Sequence, residues 1–274
     1  MKIVSWNCNG GFKDKLPFII DKKFKYTHLD AEIYVIQECE YPKNGDEEFE
    51  EYRKFAGKEG KDYFWVGNES QEKGLGIFKK DDDVELKMLE FEGNYEYLIA
   101  VRVNDSFNLL TVWTTEKSEK KGSDSYVETI HDFLEENKDN EELFDGTLMI
   151  CGDFNSNTLF NYKHKIKDKS GHAKNHTNLN KKLKKKGLYS VYHKLSGECS
   201  GEETRFTFFQ ARHLNVPYYL DYFYANEKII NKTDLITFWG KSRDKSSNYF
   251  EILDREEWTN LSDHLPIVLK FEEK

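Results

Sequence analysis

The apolar residues of this chain come in short runs and never in a long one. Tyr97–Val101 and Leu148–Cys151 are among the longest, far below the roughly 20 residues of a membrane-spanning helix. Short runs rich in Val, Ile, Phe and Tyr, bounded by polar or glycine punctuation, read as strands. The pattern predicts strands at Lys2–Trp6, Ile33–Gln37, Phe64–Val66, Leu75–Lys79, Tyr97–Val103, Asn108–Thr114, Thr147–Gly152, Thr204–Phe209, Tyr219–Ala225 and Pro266–Phe271. Helices are expected near Ser123–Asn137 and Thr177–Lys186. In the second helix, Leu179 and Leu183 form a narrow apolar stripe, Thr177 can cap the start and Gly187 marks the stop.

Twenty Phe, 16 Tyr and 5 Trp suit packed sheets and argue against disorder. No repeat, low-complexity tract or Pro/Gly-rich linker divides the chain, so one domain over residues 1–274 is expected. The start, Met1-Lys2-Ile3-Val4, reads as a strand rather than a signal peptide. Cys8, Cys39, Cys151 and Cys199 form no C-x-x-C pair, and three of them lie in or beside apolar segments. Buried, reduced thiols and a cytoplasmic location are the expectation, with no insertion into a membrane.

The net charge of −9 makes the chain a poor generic binder of polyanions. The charge is uneven, however. Between Lys163 and Lys194 lie eleven lysines and four histidines (164, 172, 176 and 193) against one acid, Asp168. Such a run is commonly a solvated helix face, but it could also track a nucleic-acid backbone.

Five polar clusters sit at the edges of strand-like runs. They are Ser5-Trp6-Asn7-Cys8-Asn9-Gly10, Ile36-Gln37-Glu38, Gly152-Asp153-Phe154-Asn155, Leu220-Asp221-Tyr222 and Ser262-Asp263-His264-Leu265-Pro266. Any one of them has an ordinary explanation as a turn, a cap or surface polarity. As a set they are more specific. Strands hold their ends at defined positions, so polar side chains there can converge on one rim without unpaired burial. Carboxylates converging in that way repel one another, and a hard divalent cation with oxygen ligands relieves the repulsion.

In this order the clusters resemble the motifs of the endonuclease/exonuclease/phosphatase superfamily of deoxyribonuclease I-like and exonuclease III-like hydrolases, from Lys2 to Phe271. The resemblance implies an α+β fold, a four-layer α/β/β/α sandwich of two mostly antiparallel sheets with helices on both outer faces. It implies that Glu38 is the principal ligand of Mg²⁺ or Mn²⁺, with Asn7 and Asn9 beside it and Asp263 as an additional metal-side or orienting acid. Asp153 corresponds to the acid that orients or deprotonates the attacking water. Asn155 then holds that water or a phosphate oxygen, and Asp221 and His264 form a carboxylate–imidazole pair. A carboxylate fixes the imidazole tautomer and helps it keep its proton. His264 then either stabilises charge as a cation or serves as general base while Asp153 positions the water.

Two departures stand out. Asn9 replaces an Asp found in many members, which favours one catalytic ion over two. Trp113 stands where many carry His or Tyr, and its N–H donates a hydrogen bond but transfers no proton. Lys117, His164 or His176 could supply a substrate contact in its place, and Arg205 could reach a phosphate. The sequence therefore points to a divalent-metal-dependent phosphodiester hydrolase, an endo- or exonuclease on DNA or RNA. Gly74-Leu75-Gly76-Ile77-Phe78 resembles the segment that nucleases use near the active-site rim, and the basic stretch and the aromatics at Thr204–Phe209 could contact a nucleic acid. The alternatives are a phosphatase or phosphodiesterase of a small phosphoester or lipid headgroup, and a non-catalytic nucleic-acid-binding module.

Overall fold

A computed structural model describes residues 1–43, 45–68, 73–116, 125–144, 147–163, 174–236 and 248–272. In chain order the strands are β1 (Lys2–Asn7), β2 (Ile33–Cys39), β3 (Tyr63–Asn68), β4 (Lys73–Lys79), β5 (Leu86–Met88), β6 (Leu98–Val103), β7 (Phe107–Trp113), β8 (Leu148–Asp153), β9 (Leu188–Ser190), β10 (Phe208–Phe209), β11 (Pro217–Tyr218), β12 (Asp221–Asn226), β13 (Thr233–Ile236), β14 (Asn248–Ile252) and β15 (Ile267–Lys270). The helices are α1 (Phe12–Ile20), α2 (Glu50–Ala56), α3 (Ser125–Glu136), α4 (Glu141–Phe144), α5 (Thr158–Lys163), α6 (His176–Lys185), α7 (Val191–Ser196), α8 (Glu227–Ile230) and α9 (Glu256–Leu261).

Two sheets dominate. One has the order β13-β14-β15-β1-β2-β4-β3, the other β5-β6-β7-β8-β12-β9, and β10 and β11 form a separate ribbon. Pairing is antiparallel except at β1–β2, β13–β14 and β7–β8. The α+β sandwich expected from the motifs is therefore present, with mostly antiparallel sheets.

Side-chain alternation explains the layering. Trp6 points outward from β1, where its ring meets Phe12 of α1 and Trp258 of α9 edge-on. Phe12 in turn packs on Phe55 of α2 and Phe78 of β4. On the second sheet, Tyr222 and Tyr224 face outward, and His176 of α6 lies against Tyr222. Ser5, Asn7, Cys151, Asp153, Asp221 and Phe223 take the opposite parity and face the interior between the sheets. There Phe223 meets Phe250 of β14. The interior is apolar along most of its length, and its carboxylates gather at one end.

Several elements departed from the sequence pattern for identifiable reasons. Pro17 lies inside α1 and hid that helix, because an internal proline removes a backbone donor. Thr204–Phe209 is a strand only at Phe208–Phe209, since its preceding residues bond to side chains and loops instead. α6 is capped by Asn175, whose side chain accepts from the Asn178 N–H, and not by Thr177. Cys8, Cys39 and Cys151 are buried free thiols, whereas Cys199 is exposed. Among the described residues, no helix is long and apolar enough to cross a membrane.

Gly152 locks the centre of the second sheet. It has φ +140, and a Cβ there would lie 1.9 Å from the Val112 carbonyl oxygen on β7. No side-chain motion relieves a clash with backbone. Gly152→Ala is expected to cost about 3 kcal/mol or more, read as a lowered midpoint in chemical denaturation. A stability within about 0.5 kcal/mol of the parent would show that β7 and β8 are not packed this closely.

Candidate active site

Topology brings the polar clusters to one rim. β1 and β2 run parallel, so Asn7 and Glu38 lie at the same end. β4 and β15 run antiparallel to them, placing Lys73 and the segment before Ile267 at that end too. In the second sheet Asp153 ends β8, Asp221 begins antiparallel β12, and the two are register partners. Trp113, the last residue of β7, also pairs with Asp153.

Glu38 occupies the rim through an irregularity. The β2–β4 register shifts between Gln37 and Cys39, and Glu38 has φ +59. A bulge re-aims a side chain that strict alternation would send to the other face. The left-handed conformation costs a β-substituted residue on the order of 1–2 kcal/mol. Asn9 (φ +54) and Asn155 (φ +46) share it, but asparagine tolerates it better. Strained positions of this kind cluster at functional sites.

Asn7 links the two sheets. Its Nδ2 donates to Glu38 Oε1 at 3.0 Å and to Asp153 Oδ2 at 2.9 Å, and its Oδ1 accepts from the Asn9 N–H at 2.9 Å. Asp153 also accepts from Asn155, through the backbone N–H at 2.8 Å and Nδ2 at 2.9 Å. Asn155 Nδ2 is steadied by the Thr114 carbonyl. Lys73 Nζ donates to the remaining oxygen of Glu38, Oε2.

Asp221 and His264 form a buried pair, with Oδ2 and Nδ1 2.9 Å apart. The Thr207 hydroxyl accepts the backbone N–H groups of Leu220 and Asp221. Ser262 Oγ accepts the His264 N–H and donates to the Asn7 carbonyl, and the Trp6 indole N–H donates to the His264 carbonyl. Phe208 covers the imidazole, with ring centroids 4.6 Å apart. The other imidazole nitrogen, Nε2, faces Asp153 Oδ2 at 3.9 Å. That is too long for a hydrogen bond.

Burial raises the Asp153 carboxyl well above the usual range; His264 opposes the rise and Asp221 adds to it. Burial alone would pull His264 down, but Asp221 and then Asp153 overcome this and lift it. The imidazole is thus held cationic between two carboxylates. Asp153, Asp221 and His264 can each offer one atom within 4.8 Å of the others. We do not place a metal among those three, because Asp221 and Asp153 keep the imidazole protonated, and its Nε2 then has no lone pair to offer a cation. The oxygen-rich side, with the carboxylates of Glu38 and Asp153, fits a hard divalent cation better, and the Asn7 oxygen would join them if the amide, whose Nδ2 faces both, turned over.

The other expected site residues divide between the edge of the rim and positions away from it. Asp263 is half-buried, and its backbone carbonyl accepts from Phe209. The Asn9 side chain is exposed, so the residue meets the cluster only through its backbone. Trp113 is half-buried at the rim against Tyr97, ring centroids 4.4 Å apart. Arg205 is taken up by Asp254 and the carbonyls of Ile236 and Ile252, so it braces loops rather than facing the rim. His176 is fully buried beneath Tyr222 and bonds Ser156, which rules out the substrate contact expected of it. Lys117 and His164 lie outside the described residues. Lys73, Thr207 and Ser262 were missed as site residues. Ser262 stood inside a recognised motif, but nothing in the sequence linked Lys73 to Glu38.

The fold and this rim define a sandwich whose polar edge gathers carboxylates, carboxamides and one imidazole. No family model and no curated protein matches the chain. Solved structures do. A Neisseria protein, NExo, described as a 3′ phosphatase bound to a product DNA hairpin and as a 3′–5′ exonuclease, is 16% identical over 99% of both chains, with a TM-score of 0.62. The Xenopus laevis APE2 catalytic domain is 17% identical over 99% of this chain and 91% of that one, with a TM-score of 0.58. An endonuclease/exonuclease/phosphatase family protein from Leptotrichia buccalis is 13% identical over 99% of both, with a TM-score of 0.52. The chain therefore has the endonuclease/exonuclease/phosphatase fold.

Burial depresses the His176 pKa from 6.5 to about 3. Between those values the unfolded chain binds a proton that the folded chain refuses. Stability from this residue is therefore complete above pH 6.5 and falls as pH drops toward 3. His176→Gln should remove about 1 kcal/mol per pH unit from the slope of unfolding free energy between pH 6 and 5. Identical slopes in parent and variant would mean that His176 is not buried neutral.

Proposed function

We propose that this protein is a divalent-metal-dependent phosphodiester hydrolase acting on DNA. One observation carries the reading. Asp153, held by three N–H groups, faces a cationic imidazole across a 3.9 Å gap, with Glu38 tethered alongside through Asn7.

The residues divide the work by their chemistry. Asp153 has the raised proton affinity and fixed orientation of a base that aligns and deprotonates water. His264, kept cationic by Asp221, offers Nε2 to a phosphoryl oxygen as charge builds. Asn155 completes the cradle on the Asp153 side. Glu38, with the Asn7 carboxamide, would hold Mg²⁺ or Mn²⁺. Bound there, that ion would supply polarisation of the phosphoryl group and offset charge on the leaving oxygen. The exposed amide of Asn9 adds no charge for a second ion, so one catalytic ion is our reading.

DNA is favoured by the similarity to NExo, which was captured with a product DNA hairpin, and by the rim itself. Phe208 and Tyr218 form a half-buried aromatic wall beside His264, suited to a base or sugar. Arg212 approaches Lys15, which bonds the Gly10 carbonyl, so positive charge flanks the Asn9 loop. The lysine-rich end of α6 lies elsewhere. Leu188, just beyond it, pairs with Asn226 at the opposite end of β12 from Asp221. Lys182 is met by Glu135, and Lys186 lies over the Phe144 ring. We therefore assign the phosphates next to the cut to the rim. The α6 lysines are left to more distant nucleic acid.

The test is a cleavage panel of single- and double-stranded DNA, RNA, an abasic duplex and phosphate monoesters, with and without Mn²⁺. Metal-dependent cleavage of DNA is expected. Asp153→Asn and His264→Ala should each lose about 10²–10⁴-fold in rate with unchanged circular dichroism. Lys181, Lys184 and Lys185 changed to Gln should leave the rate on short oligonucleotides intact. Release of phosphate from small monoesters without DNA cleavage would favour the small-substrate alternative. DNA binding without any turnover would favour a binding module.

A further inference from the structure

Lys73 is the one cation bonded directly to a candidate metal ligand among the described residues. It opens β4, and its neighbour Gly74 pairs with Cys39 across the bulge that turns Glu38 to the rim. Its ammonium meets Glu38 Oε2, and its stem lies over the Asn9 loop, with Cε 3.4 Å from where a Cβ of Gly10 would be. The Lys73 side chain is 43% exposed and that of Glu38 18%. The ammonium can therefore swing into solvent, whereas the carboxylate is held by Asn7 on its other oxygen.

We propose that Lys73 is a positioning residue that competes with the divalent cation for Glu38. This rests on the metal-dependent reading above. An ammonium bonded to a carboxylate neutralises the charge that would attract a second cation, and two cations on one carboxylate repel each other. With the site empty of metal, Lys73 offsets the repulsion between Glu38 and Asp153. On cation entry it gives up Oε2 and turns toward the mouth of the rim, where a substrate phosphate replaces its partner. Lys73 thus sets a threshold for metal binding and lowers it when anionic substrate is present.

Calorimetric titration of the whole protein with Mn²⁺ alone tests this. Lys73→Met, which keeps the stem and removes the charge, should bind Mn²⁺ at least threefold more tightly. Lys73→Arg should stay within twofold of the parent. In the parent, a non-cleavable phosphorothioate oligonucleotide should tighten Mn²⁺ binding more than it does in Lys73→Met. Equal or weaker Mn²⁺ binding by Lys73→Met, with unchanged circular dichroism, would overturn the proposal. If Lys73→Met misfolds, Lys73→Gln provides the same comparison. A parent protein that binds no Mn²⁺ at millimolar concentration would instead fail the metal-dependent reading itself.

Discussion

One carboxamide joins the two sheets where their apolar interior ends. Asn7 Nδ2 donates to Glu38 in its own sheet and to Asp153 in the facing one. Both acceptors are carboxylates, and Asp153 is fully buried. Two such groups brought together without a donor between them would repel each other at short range. The amide makes their approach tolerable and fixes their spacing. Everything else in the site is referred to that spacing. Asn155 closes the far side of Asp153, and Ser262 ties the His264 loop to the Asn7 carbonyl.

The sheets supply rigidity and the loops supply only the last residues. Asp153 and Asp221 are register partners in adjacent strands, so their separation is set by the ladder and not by a mobile connection. His264 lies just before β15 and is held by Ser262, Trp6 and Phe208 together. Departures from regular geometry occur at this rim as well as in turns. Glu38 takes a left-handed conformation in a bulge, and Gly152 permits a backbone approach next to Asp153 that no other residue allows. Local strain of this kind persists only where surrounding packing over-determines it.

Charge placement separates the site from the most conspicuous feature of the sequence. The lysine run between residues 163 and 194 reads either as a solvated helix face or as a contact for a polyanion. In three dimensions its helical part flanks α3, whose acids engage Lys174 and Lys182, and it ends away from Asp221. Among the described residues of the run, His176 bonds beside the motif, at Ser156, and Lys182 of α6 points to α3 instead. His176 shows the same lesson at one residue. Its type suggested chemistry, but its place on the apolar face of α6, in line with Leu179 and Leu183, buried it.

Much of this protein was legible in its residues. Short β-branched and aromatic runs dictated sheets, because only strands bury such runs with period two. The order and strand-edge positions of five polar clusters anticipated the shared rim, since strand ends let polar groups converge and find hydrogen-bond partners. Tertiary structure alone decided the rest. It turned Glu38 through a bulge, brought Lys73 onto it and set Nε2 of His264 opposite Asp153. It also withdrew His176 and Arg205 from the site. Those outcomes depend on cross-strand register and on which face each side chain takes. Both arise from contacts between residues far apart in the chain, which no local pattern records.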